Sequence, residues 1–180
     1  VGVTKVKAKA DFAKAVKEAF KYDTELLYER YVSGREIECA ILGNDPPKAS
    51  LPGEIIISKK YDFYTFDAKY VDSTAVSIEV PAKLKSEEAE KIRELSVRAF
   101  QVLKCEDYAR VDLFLTQDGE VFVNEINTIP GFTNSSMYPM MWRDRGISFA
   151  DLISRLIGLA QKRHQASLRI ERQFNSSLNY

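Results

Sequence analysis

Ala109-Arg110-Val111-Asp112-Leu113-Phe114-Leu115, then Thr116-Gln117-Asp118-Gly119-Glu120, then Val121-Phe122-Val123-Asn124-Glu125-Ile126-Asn127 is the stretch on which the reading of this chain turns. Two runs with strand-like patterning flank Asp118-Gly119, a dipeptide that accepts the positive φ values of a tight hairpin turn. Read as a two-residue turn, it sets Gln117 against Glu120, Asp112 against Glu125 and Arg110 against Asn127. Side chains alternate along a strand, so Arg110, Asp112, Glu125 and Asn127 share one face. Val111, Leu113, Leu115 and Phe122 or its neighbours take the other. Two carboxylates facing each other across a strand pair lie roughly 5 Å apart at Cβ, where like charges repel. Arg110 can offset that repulsion by a salt bridge on an ordinary solvated face. Alternatively, Asp112, Glu125 and Asn127 form an oxygen-only set suited to a hard cation such as Mg²⁺, which takes its remaining oxygens from water and phosphates. The next residues, Thr128-Ile129-Pro130-Gly131-Phe132-Thr133-Asn134-Ser135-Ser136, place a Pro-Gly turn, hydroxyls and backbone amides beside the cluster. That composition suits an anionic substrate.

Outward from the hairpin, both helical and strand periods recur. Asp11 can cap a helix running to about Tyr22, with Phe12, Ala15, Val16, Ala19 and Phe20 on one face. Strands are expected at Glu25 to Val32, Glu36 to Leu42, Glu54 to Ile57 and Val76 to Val80, with turns at Gly34 and over residues 43–47. Residues 59–75 break both periods and read as a long mobile loop of the kind that forms functional lids. Ser86 is expected to cap a second helix, in which Glu87 and Glu88 suit the helix dipole. Residues 127–146 read as irregular, and Ser148 opens a last amphipathic helix. Past His164 the tail is polar. The expected class is α+β, with a largely antiparallel sheet.

Composition narrows the function classes. Twenty-six basic residues balance 26 acidic ones, which argues against a dedicated nucleic-acid binder with its basic face. No apolar run has the length of a membrane span, so no membrane partner is expected. The single histidine, His164, excludes His-rich metal sites and argues against a His-based triad. Cys39 and Cys105 are too few and too far apart for a disulfide framework; they are expected to be buried, inert thiols in a cytoplasmic protein. The chain starts at Val1-Gly2-Val3 without Met, like the end of a loop entering a strand, so it is expected to be one piece of a longer protein.

Arg110, Asp112 and the run from Asn124 to Thr133 resemble the D-alanine–D-alanine ligase family of the ATP-grasp superfamily. Three more segments match in order: Glu29 through Glu36, Phe63 to Tyr70, and Asn134 to Pro139. The resemblance covers Val1 to about Ala160. It implies an ATP-grasp fold with residues 1–60 completing a small lobe, 61–163 forming a large lobe, and 164–180 a tail. It also implies a two-step reaction in peptidoglycan-precursor synthesis: ATP phosphorylates one D-alanine carboxylate, and the amine of a second D-alanine attacks the acylphosphate. Carried over residue by residue, Asp112, Glu125 and Asn127 would hold two Mg²⁺ ions, with Mn²⁺ as an alternative. Arg110 and the Gly131 amide would stabilise the oxyanion. Ser136 would bind the second substrate's carboxylate and Lys69 would face the phosphate. Glu29, Arg30, Val32 and Glu36 match the adenosine site, and Phe63 and Asn124 would flank the purine. Tyr70 stands where relatives that accept D-lactate tend to have histidine, which favours dipeptide formation.

The chain departs from the family at Asp107, where glycine is usual, and at Thr65 and Phe66, where Asp and Tyr are commoner. The resemblance further implies an N-terminal domain elsewhere in the same polypeptide, homodimerisation of the complete enzyme, and little or no activity for this piece alone. The rival readings are a D-alanine–D-serine or D-alanine–D-lactate ligase, a non-catalytic nucleotide-binding relative, and a purely structural charged hairpin.

Overall fold

A computed structural model describes residues 2–57 and 76–171. Phe63, Lys69, Tyr70 and the expected 59–75 loop lie outside the described residues, as does the end of the tail. The chain divides into two compact units, residues 1–34 with 57–77, and residues 35–56 with 78–180.

In the smaller unit, a 3₁₀ turn at Lys9–Asp11 leads into α1 (Phe12–Ala19), and Phe12 meets Tyr28 edge-on with ring centroids 5.2 Å apart. Asp11 stands at the N-cap position, but its side chain makes no capping bond. Glu25 to Val32, expected as a strand, pairs with no strand among the described residues, and Leu27 and Tyr28 are exposed. Apolar alternation there marks extended backbone, but a ladder also needs a partner edge.

The larger unit is built on an antiparallel sheet. Its strands are β1 (Arg35–Leu42), β2 (Lys48–Ala49), β3 (Gly53–Ile57), β4 (Val76–Glu79), β5 (Tyr108–Leu115) and β6 (Val121–Asn127), in the order β4-β3-β1-β5-β6 with β2 also on β1. β1 runs along β5 for its whole length, from Arg35↔Leu115 to Leu42↔Tyr108. Backbone ladder bonds tie β1 and β3 to the large unit that contains β5, so the division falls near residue 34.

Alternation along β5 sorts the side chains. Ala109, Val111, Leu113 and Leu115 are buried, whereas Tyr108, Arg110, Asp112 and Phe114 are half-buried on the opposite face. Ile37, Cys39 and Ile41 of β1 join the apolar set, and α2 (Ser86–Val102) covers it with Ile92 and Phe100. The buried Ile92, Ser96 and Phe100 recur every four residues, the stripe an amphipathic helix presents to a sheet. Ser96 Oγ satisfies itself on the Ile92 carbonyl at 2.7 Å. The helix begins one residue earlier than expected. Lys85 is the cap, its amide donating to Glu88 Oε2 at 3.0 Å.

After α2 the chain turns through two left-handed residues, Lys104 (φ 53) and Asp107 (φ 68). The Cys105 amide reaches the Phe100 carbonyl and the Lys104 amide the Gln101 carbonyl, each at 3.0 Å, a Schellman ending without glycine. Asp107 therefore holds a left-handed conformation that glycine adopts without strain. Contacts to the buried Asp107 offset the strain of a side chain there: Asn44 Nδ2 donates to Asp107 Oδ1 at 2.9 Å, Arg163 lies 3.0 Å from Oδ2, and Gly43 donates to the Asp107 carbonyl at 2.7 Å.

The hairpin differs from the expected two-residue turn in two ways that cancel. Thr116 pairs with Glu120 around Gln117-Asp118-Gly119, with Gly119 at φ +79, so the turn has three residues. Leu115↔Val121 and Leu113↔Val123 follow that register, and a bulge at Asn124 then restores Asp112↔Glu125 and Arg110↔Asn127.

Two more helices complete the unit. α3 (Met137–Asp144) lies inside residues expected to be irregular, and α4 (Phe149–Leu168) opens with Ser148 Oγ accepting from the Asp151 amide at 3.1 Å. Pro139 does not break α3, because it sits in the first turn, where its missing N–H has no helical acceptor anyway. α4 runs past His164, so the expected tail is partly helical.

Phe100→Ala is expected to lower the unfolding free energy by about 3–4 kcal/mol in urea denaturation. Phe122→Ala, at a side chain 40% exposed on the edge strand, is expected to cost less than about 1 kcal/mol. Equal losses would contradict a core that includes Phe100 and leaves Phe122 at its edge.

Candidate functional site

The face of the sheet turned away from α2 is polar at its centre and aromatic at one end. Moving along β5, Tyr108 packs edge-on against Phe132 and Tyr138 with centroids 6.3 and 5.7 Å apart. Phe132 in turn meets Tyr138 at 5.7 Å and Phe149 at 5.5 Å. Tyr138 is fully buried, and its hydroxyl donates to the Ile41 carbonyl at 2.9 Å. Burial holds that phenol well above its ordinary pKa, so it stays neutral. This cluster fixes the ends of the Thr128–Ser136 segment to β1 and β5.

Within that segment the expected substrate residues meet. A Cβ on Gly131 would come within 3.1 Å of Ser136 Oγ, so only glycine permits this approach without displacement. Ser136 Oγ accepts from the Thr133 amide at 3.0 Å and lies 2.8 Å from Thr133 Oγ1. Asn127 Oδ1 accepts from the Ile129 amide at 3.2 Å, which sets the chain's exit from β6.

Two residues from Tyr108, on the same face, Arg110 makes a two-pronged contact with Asp112: Nε to Oδ1 and Nη2 to Oδ2, each 2.7 Å. Its Nε is also 3.1 Å from Glu38 Oε2 on β1. Glu38 is directly opposite Asp112 in the β1–β5 register, and Glu36 is opposite Phe114. Burial opposes the charge on Arg110, but the Asp112 hydrogen bond and the carboxylates of Glu38, Asp112 and Glu125 outweigh it and raise its pKa. The guanidinium is thus permanently charged. Glu36, half-buried, is pushed up to about 7, first by burial and then by the charge of Asp112.

Among the described residues no group of three or more His, Cys, Asp or Glu side chains is placed to hold a metal ion. The expected set contains two carboxylates and one amide, and the cross-strand pairing puts Asp112 opposite Glu125 with Asn127 two residues on. This all-oxygen donor set fits a hard cation that keeps part of its water shell. The salt bridge offered as the alternative is also present. A carboxylate has lone pairs beyond the two that an arginine fork uses, so the two readings are compatible.

The other expected residues are dispersed. Glu29 and Arg30 are exposed and Val32 half-buried in the smaller unit, whereas Glu36 belongs to the larger. Asn124 is the exposed bulge residue. Cys39 is fully buried, its thiol pushed up to about 11 mainly by burial; Cys105 is only half-buried, which corrects the expectation that both are buried. Sequence reasoning missed Glu38. Its only signal was the two-residue spacing from Glu36, which gains meaning once β1 is registered against β5.

A family model described as "D-ala D-ala ligase C-terminus" matches residues 1–158. The chain is 51% identical over 167 residues to D-alanine–D-alanine ligase A of Salmonella typhimurium, covering 93% of this chain and 45% of the relative. It is 48% identical over 171 residues to D-alanine–D-alanine ligase of Oceanobacillus iheyensis, covering 95% and 46%. The solved D-alanine–D-alanine ligase of Coxiella burnetii superposes with a TM-score of 0.80 at 44% identity, over 92% of this chain and 43% of that one. The VanG D-Ala:D-Ser ligase of Enterococcus faecalis superposes with a TM-score of 0.77 at 39% identity, over 88% and 45%. The chain spans about half the length of the relatives it matches. No described helix is long and apolar enough to cross a membrane.

Glu36 gives a pH-dependent expectation. Its folded pKa of about 7 lies above the ordinary 4.5, so the folded chain keeps a proton that the unfolded chain has released. Its contribution is fully present below about pH 4.5 and lost as pH rises through 7. In chelator-treated protein, Glu36→Gln should therefore gain stability relative to wild type between pH 5 and 8, on the order of 2 kcal/mol by urea denaturation. Parallel pH profiles for the two proteins would contradict the buried-carboxyl account.

Proposed function

Because the chain belongs to the D-alanine–D-alanine ligase C-terminal family, we propose that it is the ATP-grasp part of an ATP-dependent ligase. On this reading the complete enzyme joins two D-alanines through a D-alanyl phosphate for peptidoglycan-precursor synthesis. The observation that carries the reading is the opposition of Asp112 and Glu125 across β5 and β6 with Arg110 locked beside them. An N-terminal domain in the same polypeptide, homodimerisation and a cytoplasmic location belong to this proposal, as does the inactivity of the chain by itself.

Asp112, Glu125 and Asn127 would hold two Mg²⁺ ions, and Mn²⁺ could replace them. Bound there, the metal supplies positive charge to the transferring phosphoryl group. The chain's own groups bind and orient. Lys69 would face the phosphate, and Tyr70 would close over the second substrate as a neutral group. The permanently charged Arg110 and the Gly131 amide would stabilise the oxyanion formed when the second amine attacks the acyl phosphate. Ser136, held next to Gly131, would donate to the second D-alanine's carboxylate; its rotatable hydroxyl can leave Thr133 to do so. Glu36 would accept from the ribose hydroxyls; the ionised carboxylate accepts at both oxygens, so nucleotide binding would favour ionisation and draw its carboxyl down from about 7. Glu29, Arg30, Val32, Phe63 and Asn124 would complete the adenosine site.

The similarity to a D-Ala:D-Ser ligase keeps D-serine as the second reading for the attacking substrate. In the full-length enzyme, phosphate release from ATP is expected with D-alanine and Mg²⁺, and not with D-serine or D-lactate offered as the second substrate. Asp112→Ala and Glu125→Ala should each lower kcat by at least about a thousandfold with the fold retained by circular dichroism. Unchanged turnover in both variants would reduce the hairpin to a structural face, and turnover with D-serine would move the assignment to the second reading.

A further inference from the structure

Glu38 has no assigned role, yet it is among the most buried charged side chains of the larger unit, only 4% exposed. A carboxylate removed from water costs several kcal/mol unless it is paired, and an apolar residue of similar volume is often the more stable choice. Its place on the polar face therefore asks for a specific partner. The β1–β5 register supplies one, since Glu38 lies directly opposite Asp112 and its Oε2 is 3.1 Å from Arg110 Nε.

The division of the Arg110 fork carries the argument. A guanidinium presents five N–H donors in a rigid plane. Asp112 takes the Nε and Nη2 edge at 2.7 Å on each arm, and Glu38 approaches the same Nε from the neighbouring strand. Among the described residues, Arg110 Nη1 makes no hydrogen bond or ion pair. A guanidinium held by Asp112 alone could swing with that side chain, since both stand two residues apart on one strand. Held between carboxylates on two strands, it cannot turn without breaking a contact to one of them. The Nη1 end is then the part offered to a substrate, and the orientation is set before the substrate arrives.

We infer that Glu38 is a positioning residue of the reaction: it shares Arg110 with Asp112 and fixes the guanidinium so that its Nη1 end meets the developing oxyanion. This rests on the ligase reading above. Sharing also lightens the hold of Arg110 on Asp112, whose carboxylate that reading requires for the cation. In this role Glu38 acts through Arg110.

The test is steady-state kinetics of the full-length enzyme carrying Glu38→Gln, which keeps shape and removes charge. Expected are a kcat lowered by about tenfold or more, KM values for ATP and D-alanine within about threefold of wild type, and an unchanged or raised melting temperature. In an Arg110→Lys background, Glu38→Gln should change the residual kcat by less than about twofold, because the group it positions is gone. A purely structural role predicts the reverse: a lower melting temperature, unchanged kcat per folded molecule, and the same effect in both backgrounds. Should Glu38→Gln fail to fold, Glu38→Asp keeps the charge, shortens the reach and carries the same comparison; misfolding of both would assign Glu38 to stability alone and overturn the inference. Wild-type turnover with an unimpaired Glu38→Gln overturns the positioning role only. Absence of D-alanine-dependent turnover in wild type removes the ligase reading and the positioning role with it.

Discussion

One cation holds the polar face of this sheet together. Glu36, Glu38, Asp112 and Glu125 come from three adjacent strands, and the ladder that aligns those strands sets Glu38 opposite Asp112 and Asp112 opposite Glu125. Like charges at cross-strand spacing repel, and burial strengthens the repulsion. Arg110 answers it through Asp112 and Glu38 directly and Glu125 by charge. Glu36 on the same face is driven up to about 7, first by burial and then by the charge of Asp112. A face with this surplus of negative oxygen is suited to a further cation, and the proposed metal role of Asp112, Glu125 and Asn127 follows from that imbalance.

The rest of the larger unit keeps this arrangement in place. α2 seals one side of the sheet with Ile92 and Phe100, which fixes the pleat and so decides which β5 side chains turn to the other side. Tyr138, hydrogen-bonded to the Ile41 carbonyl, and the rings of Tyr108, Phe132 and Phe149 pin the Gly131–Ser136 turn at the end of the same face. Precision in the polar cluster thus comes from apolar packing on both sides of it. A site carried on strands and locked by aromatic contacts is more rigid than one carried on loops alone.

Much of this was legible in the sequence, though not always for the right reason. Asp118-Gly119 marks the hairpin, and the opposition of Asp112 to Glu125 holds, but the turn is one residue longer than the dipeptide suggests and the bulge at Asn124 compensates. Turn type and bulges are settled by strand twist and local φ, which periodicity does not report. α3 carries a helical signal in Met137, Tyr138, Met141 and Trp142, all buried, hidden behind Pro139 when that residue is read as a breaker. Asp107 occupies the left-handed region, supported by Asn44 and Arg163, contacts from distant residues that no local pattern encodes. Glu38 was missed because its meaning lies in a long-range register between β1 and β5.

The central claim, that the polar face of the β5–β6 hairpin binds the metal–nucleotide, is tested most directly by paramagnetic broadening. Mn²⁺ with ATP, titrated into the isotope-labelled full-length protein, should broaden the amide signals of residues 110–112 and 125–128 first, and Asp112→Asn should abolish that pattern. Broadening confined to other acidic surfaces, such as the start of α2 at Glu87 and Glu88, with the hairpin signals unaffected, would contradict the account.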